Sequence, residues 1–302
     1  MLVRRRPFGR RSGLEGRGLV VVAVLVALLG APLAVVGWMH VHRVSATAAS
    51  GRFDPNVIRA AAIPVVPQLD PEPAVTTTTV PDPAASLVTV PGSKLRRGVA
   101  RPISSPATVA DVKVAKIGLY STPGEADPDD SFSNPTWEGL PLVFLVQQRQ
   151  GDWLEVQLNT RPNQTTAWVR AADVSLRQVT HRIVVSLAAR SLTVYDGQNP
   201  VMQAPVAIGD PSTPTPTGNY YIDGAVRTPD PTGVYGPFQL SVAAFSEVLM
   251  TFGSGVGQIA MHGTNAPGLI GSAVSNGCLR MNNADVTRLA NTVEVGTPVQ
   301  IS

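Results

Sequence analysis

Cysteine and histidine are scarce in this chain. Its 302 residues include one cysteine, Cys278, and four histidines. One cysteine cannot form an internal disulfide, so Cys278 is either a free thiol or half of an intermolecular bond. His40 and His42 directly follow an apolar run, which leaves His181 and His262 and no CxxC pair to complete a tetrahedral zinc site. The sequence therefore excludes an internal disulfide and argues against bound metal.

Positive charge is also scarce once the N-terminus is set aside. The formal net charge is +3, and fewer Lys and Arg than Asp and Glu remain when the arginines before the first apolar run are left out. The affinity of a protein for double-stranded nucleic acid comes mainly from clustered Lys and Arg side chains that neutralise phosphates. Nucleic acid is therefore not expected as a partner. The arginines in question are Arg4, Arg5, Arg6, Arg10, Arg11 and Arg17.

Residues 19–39 form an apolar run of 21 residues without a charge, which matches the roughly 20 residues needed to cross a bilayer core. Because the arginines crowd its N-terminal side, residues 1–18 are predicted to be a basic cytoplasmic tail. We expect an uncleaved signal anchor, which makes the chain a single-pass protein of the cell membrane with its remainder outside. A cleaved signal peptide ending near 46–48 is the alternative, although its apolar region would be unusually long.

Two further regions are predicted between the anchor and the C-terminal part. Residues 40–110 are rich in Pro, Ala, Thr and Val and predict an extended extracytoplasmic linker. Residues 111–178 contain short β-like runs separated by turn residues, which favours a small β-barrel. The segments 151–156 and 167–170 resemble bacterial SH3-like domains, which often accompany cell-wall enzymes. Their tryptophans, Trp153 and Trp168, are expected to fill the barrel core.

Residues 180–302 show a second β-rich pattern. Alternating apolar residues predict strands near its start, and the Gly-, Pro- and Asp-rich segment 223–238 predicts a long loop of the kind that often forms a functional lid. A strand-like segment, 258–261, ends at His262. Near the C-terminus, Asn282 or Asn283 can cap a helix. One face of that helix would carry Val286, Leu289, Ala290 and Val293.

The only cysteine and one histidine share a glycine-punctuated segment in this region. A thiol attacks a carbonyl as thiolate, so it needs a base close by to take its proton. His262 lies upstream of Cys278 and can fill that role. Gly277 has no side chain to block a substrate, and the backbone N–H groups of Gly277 and Cys278 can turn towards a developing oxyanion. The pattern predicts an acyl-transfer site.

These residues resemble the L,D-transpeptidases of the YkuD type, cysteine enzymes that remodel bacterial peptidoglycan. The resemblance is carried by Thr-Pro-Thr-Gly at 215–218, His-Gly-Thr at 262–264, Ile-Gly at 270–271 and Ser-Asn-Gly-Cys-Leu-Arg-Met at 275–281. It implies a β-sandwich-like catalytic domain, so that the chain is mainly β. The family often has a second histidine before Gly-Cys, where this chain has Asn276.

The resemblance also implies roles. Cys278 matches the nucleophile and His262 the proton acceptor and donor, while the third member would be the backbone carbonyl of Gly263. Arg280 can bind a substrate carboxylate or brace the loop. The remaining residues expected to shape the substrate site are Ser275, Asn276, Thr264 and Asn265.

The reaction implied is peptidoglycan crosslinking. The thiolate would attack the carbonyl between the diamino acid and D-alanine of a stem peptide, and the amine of a neighbouring stem would resolve the thioester into a 3→3 crosslink. No metal or organic cofactor is needed, and carbapenem-type inhibitors are expected to bind. Two alternatives remain: an L,D-carboxypeptidase, in which water takes the thioester, and an inactive wall-binding scaffold. A papain-like protease is disfavoured because the histidine precedes the cysteine.

Overall fold

The computed structural model describes residues 95–98, 101–253 and 255–302. Within these ranges, no helix has the length and apolar character required to cross a membrane. The predicted anchor at 19–39 and most of the predicted linker at 40–110 lie outside the described residues. The described chain contains two β-rich parts, which we call the first β region (95–179) and the second β region (180–302).

The first β region forms a six-stranded sheet with a separate two-stranded pair. The strands are β1 (Arg96–Arg97), β2 (Ala107–Val112), β3 (Lys116–Leu119), β4 (Asp130–Ser133), β5 (Val143–Gln150), β6 (Trp153–Gln157), β7 (Thr165–Arg170) and β8 (Val174–Val179). The sheet order is β1-β7-β6-β5-β2-β8, and β3 pairs with β4. Strand β1 lies inside the range assigned to the linker and β2 begins there, and Arg96 of β1 pairs with Thr166 of the same sheet.

The core of the first β region is mainly aliphatic, with Phe144 as a fully buried aromatic residue. Leu154, Val156 and Val169 are fully buried, as strand alternation requires for one face of each strand. Trp153 and Trp168 are only partly buried, so the expectation that they fill the core is not met. Trp153 instead packs edge-on against Tyr120, with ring centroids 4.9 Å apart.

The second β region forms one eight-stranded sheet and a separate two-stranded pair. The strands are β9 (His181–Ser186), β10 (Ser191–Asp196), β11 (Asn199–Pro205), β12 (Ile208–Gly209), β13 (Gly218–Arg227), β14 (Phe238–Phe245), β15 (Gln258–His262), β16 (Ala273–Ser275), β17 (Leu279–Arg280) and β18 (Pro298–Ile301). The order of the large sheet is β11-β10-β9-β18-β13-β14-β15-β17, and β12 pairs with β16. One α-helix, α1 (Asn283–Thr292), lies in this part of the described chain.

The second sheet curls around a single apolar core. Residues from both of its ends, such as Leu192 on β10 and Leu240 on β14, belong to one buried cluster. Helix α1 contributes Val286, Leu289 and Ala290 to that cluster, which are the residues expected on its inward face. The prediction of a mainly β catalytic region is confirmed. The predicted loop 223–238 is shorter than expected, since β13 continues to Arg227.

The opposite face of this sheet carries the candidate functional residues. Ile259 and Met261 on β15 point into the core, so alternation turns Ala260 and His262 to the other side. Ala260 pairs with Ser241 on β14, and Ser241 pairs with Gly224 on β13. We call this surface of β13, β14, β15 and β17 the site face.

The first β region packs against part of the same face. Tyr221 of β13 is fully buried and donates its hydroxyl to the carbonyls of Val143 and Gln157, each at 3.2 Å. The Asn163 side chain pairs with the backbone of Phe245 through two hydrogen bonds of 2.8 Å. These contacts fix the first β region beside the strands that carry the site.

Candidate active site

His262 ends β15 with its ring buried, only 4% exposed. Its Nδ1 lies 2.7 Å from the carbonyl oxygen of Gly263. A carbonyl only accepts, so Nδ1 carries the hydrogen and Nε2 of the neutral ring is left as the proton acceptor. This is the contact that the family resemblance implied, with the tautomer that a general base requires.

Strand pairing brings Cys278 next to His262. β17 runs parallel to β15, with Met261 opposite Leu279 and His262 opposite Arg280. Cys278, one residue earlier, therefore lies opposite Ala260 on the site face. With strands about 4.8 Å apart and about 3.3 Å per residue, the Cα atoms of His262 and Cys278 are about 8 Å apart, within reach of their side chains. The thiol is free and partly buried.

Burial favours the neutral forms of both Cys278 and His262. It lowers the pKa of His262 to about 4; the Gly263 hydrogen bond opposes that shift and the charge of Arg280 adds to it. Burial also raises the pKa of the Cys278 thiol above its usual value, against smaller opposing effects from a hydrogen bond with the Ala260 backbone and from Arg280. At neutral pH the thiol therefore keeps its proton and the imidazole is uncharged.

Ser275 holds the turn that presents the cysteine. Its hydroxyl donates to the carbonyl of Cys278 at 2.6 Å and accepts from the N–H of Gly277 at 3.2 Å. Thr215, from the Thr-Pro-Thr-Gly segment, donates to the Gly277 carbonyl at 2.8 Å. Gly277 adopts φ +110°, a conformation that favours glycine. The Gly277 N–H is thus already bonded, although the sequence suggested it for the oxyanion.

Tyr235 is a site residue that the sequence analysis did not identify. Its ring meets the His262 ring edge-on, with centroids 5.0 Å apart. Burial and the proximity of Cys278 raise the pKa of its phenol, while Arg280 opposes this. Tyr235 therefore lies against His262 and close enough to Cys278 to interact with it electrostatically. The sequence feature that could have indicated Tyr235 is its position as an aromatic residue within the Gly-, Pro- and Asp-rich segment predicted to form a lid.

Gly236 and Gly263 allow the loop between β13 and β14 to contact the loop that follows His262. A Cβ on Gly236, which has φ +61°, would lie 2.6 Å from the Cα of Gly263 and 2.3 Å from the side-chain oxygen of Asn283. That oxygen accepts a hydrogen bond from the Thr264 N–H at 2.8 Å. The start of α1 therefore fastens the loop that follows His262, and Asn283 is a second residue that the sequence did not single out for the site.

The other predicted site residues differ in their surroundings. Arg280 is partly buried, and its backbone exchanges two hydrogen bonds with Ala207, of 2.9 and 3.0 Å. Thr264 is buried, whereas Asn265 is exposed. Asn276 lies partly buried in the nucleophile turn. Nowhere in the described ranges do three or more His, Cys, Asp or Glu side chains converge on a possible metal position.

Comparisons with known proteins identify the family to which this chain belongs. Residues 180–301 match the family model of the L,D-transpeptidase catalytic domain, YkuD. A Bacillus licheniformis protein named as an L,D-transpeptidase YkuD is 39% identical over 124 residues, covering 41% of this chain and 67% of that protein. The chain belongs to the L,D-transpeptidase family. The Bacillus subtilis protein of the same name is 37% identical over the same shares of both chains.

L,D-transpeptidases also occur among solved structures similar to this chain. One is L,D-transpeptidase 3 from Mycobacterium tuberculosis in complex with a faropenem-derived adduct. It is 14% identical, with a TM-score of 0.35, and the similarity covers 53% of this chain and 91% of that one.

Proposed function

We propose that this L,D-transpeptidase forms 3→3 crosslinks between peptidoglycan stem peptides through a thioester on Cys278. The observation that carries the proposal is the His262 Nδ1 contact with the Gly263 carbonyl at 2.7 Å. It leaves Nε2 to accept a proton on the site face, where Cys278 directly precedes the neighbouring strand, β17. The predicted anchor at 19–39 belongs to the proposal, because peptidoglycan lies outside the cytoplasmic membrane.

Acylation begins when His262 Nε2 takes the Cys278 proton as sulfur attacks the stem carbonyl between the diamino acid and D-alanine. The carbonyl oxygen becomes an oxyanion, and hydrogen-bond donors at that position stabilise the transition state. Since Ser275 accepts the Gly277 N–H, we assign the oxyanion to the Cys278 N–H. The C–N bond then breaks, and D-alanine leaves with the proton from His262.

Deacylation uses the same groups in reverse. The side-chain amine of a second stem attacks the thioester carbonyl and gives a proton to His262. The C–S bond breaks, a new amide joins the two stems, and His262 returns the proton to sulfur. Arg280, whose charge acts on both Cys278 and His262, is suited to hold a stem carboxylate. No step requires a metal or an organic cofactor.

The test is to incubate the purified part of the chain that follows the predicted anchor, residues 40–302, with tetrapeptide stems and analyse the products by mass spectrometry. Crosslinked dimers with release of D-alanine are expected. Tripeptides without dimers would mean that water takes the thioester and the protein is an L,D-carboxypeptidase. The absence of both products would overturn the proposal in favour of an inactive wall-binding scaffold.

A carbapenem tests the nucleophile separately. The wild-type protein should gain the mass of one inhibitor molecule, and Cys278→Ala should gain none. His262→Gln should acylate far more slowly while remaining folded, because it removes the base but keeps a polar side chain. An adduct on the Cys278→Ala variant would assign the reaction to another residue.

A further inference from the structure

Two acidic side chains, one from each β region, meet at the site face. Asp223 lies on β13 between Ile222 and Gly224, at a shift in the register with β14, and such a β-bulge re-aims a side chain. Glu138 lies in the turn between β4 and β5, close enough to Asp223 for the two charges to interact. Both residues are partly buried and partly accessible, so a ligand can reach them. We call Asp223 and Glu138 the acid pair.

The carboxylate of Asp223 is held in place but is incompletely hydrogen-bonded. Its Oδ2 accepts a hydrogen bond from the Asn159 side chain at 2.5 Å and another from Gln258 Nε2 at 2.8 Å. Its Oδ1 is buried and has no hydrogen-bond partner among the described residues. Because buried polar atoms in native proteins are nearly always hydrogen-bonded, this oxygen calls for a donor from outside the described chain.

No cation of the described chain neutralises the acid pair. The salt bridges in the described ranges involve other acids, namely Asp111, Glu155 and Glu294. Burial and the charge of Asp223 raise the pKa of Glu138, and burial raises the pKa of Asp223. Two like charges that are shielded from water favour a proton or a cation beside them. The acid pair is therefore suited to a ligand that brings its own positive charge.

Gln258 places the acid pair beside the reaction centre. It lies on β15 two residues before Ala260, so strand alternation turns both side chains to the site face. Its Nε2 also donates to the Val242 carbonyl of β14 at 3.0 Å, which puts the Asp223 carboxylate above β14. Cys278 lies opposite Ala260, on the other side of β15. Two strand spacings therefore separate the carboxylate from Cys278, a distance of about 10 Å.

That distance is within reach of the side chain of the residue whose carbonyl is attacked. Six bonds join the carbonyl carbon of a lysine-like diamino acid to its side-chain nitrogen, up to about 7.5 Å. With the bond to sulfur and one charge-assisted hydrogen bond, the reach from Cys278 is up to about 12 Å. We propose that the acid pair binds the side-chain ammonium of the donor's diamino acid, so that stems with this amine free are preferred to stems already crosslinked through it. The inference rests on the function proposed above and adds a specificity subsite to it.

Binding can be measured without catalysis, by titration calorimetry on the full-length Cys278→Ala variant. A stem tetrapeptide with lysine as its third residue should bind about tenfold more tightly than one with norleucine, which has no ammonium. Adding Asp223→Asn or Glu138→Gln should remove most of that difference. Asp152→Asn, which neutralises an exposed acid of the first β region, should preserve it. Equal binding of the two stems to the Cys278→Ala protein would overturn the inference, whatever the catalytic activity, and would leave the acid pair as a junction that holds water or a proton.

Kinetics separate this inference from the proposed function. The release of D-alanine is followed for both tetrapeptides, with an excess of a lysine tripeptide that can accept an acyl group but has no D-alanine to lose. Wild-type kcat/KM should be about tenfold higher for the lysine donor; Glu138→Gln should reduce that preference, and Asp152→Asn should preserve it. Equal kcat/KM for the two donors would refute the subsite and leave the proposed function intact. No release from either donor would refute the proposed function, and the calorimetry would then decide the subsite on its own.

Discussion

Varying the pH should show that Cys278 and His262 rest as a neutral pair. Many cysteine enzymes instead hold a thiolate beside a charged base, which lowers the thiol pKa. Here burial acts on both groups, lowering the pKa of His262 to about 4 and raising that of Cys278 from 9.0. The two pKa values move apart, so the proton stays on sulfur until a substrate is attacked.

The size of the effect follows from these values. Because the pKa of the thiol is raised and the pKa of the imidazole is lowered, the thiolate–imidazolium pair is a minor form of the unliganded site. At pH 7, three units above the pKa of His262, about one imidazole in a thousand is protonated. We therefore expect kcat/KM to rise with a midpoint near pH 4 and then to stay level through pH 8, since this profile reports the free enzyme.

Two measurements check this reasoning. The first is the pH profile of kcat/KM with a stem tetrapeptide. The second is a titration of thiolate absorbance in the ultraviolet, taken as the difference between the wild type and Cys278→Ser. An acidic limb near pH 6.5, or a thiolate signal at pH 7 that disappears in His262→Ala, would refute the neutral pair. Slow alkylation by iodoacetamide at pH 7 that accelerates above pH 9 would support it.

Three further outcomes are expected. Ser275→Ala removes one buried and one partly buried hydrogen bond, so the free energy of unfolding measured by calorimetry should fall by about 1–3 kcal/mol and kcat should fall, whereas Ser275→Thr should retain part of both. Gly236→Ala forces a Cβ into Asn283 and Gly263 at φ +61°; it should lower the unfolding temperature, and unchanged stability would contradict the close packing of the two loops. The pKa of His262 is lower in the folded state than its unfolded value of 6.5, so the unfolded chain binds the proton first. Stability should fall by about 3 kcal/mol as pH drops from 6.5 to 4, and a His262→Gln variant should lose less over that range in chemical denaturation.

Much of the site could be predicted because its residues are close in sequence. His262 and Cys278 share one segment, and chemistry requires a base beside a thiol. Glycines at 263 and 277 marked the turns on either side. The structure then supplied the geometry that the motif could not give, including the Nδ1 contact with Gly263 and the parallel pairing that makes β15 and β17 neighbours.

Contacts between distant segments could not be predicted in the same way. Tyr235 lies over His262 because β13 and β14 pair on either side of the loop that carries it, and the sequence pattern only indicated a lid. The bond between Ser275 and the Gly277 N–H also removed one of the two amides expected for the oxyanion. Both results depend on how the turns close, which composition and strand alternation do not determine.

The sequence by itself determined the chemistry available to this protein: a lone cysteine, a nearby histidine, and glycines where the backbone must turn. It also predicted a mainly β chain, since alternation with period two can be read locally. Only the tertiary structure decided that the site face is shared, with the first β region packed on the same sheet surface as Cys278. The physical reason is that strand order and the packing of one sheet on another arise from contacts far apart in the chain, which no local pattern records.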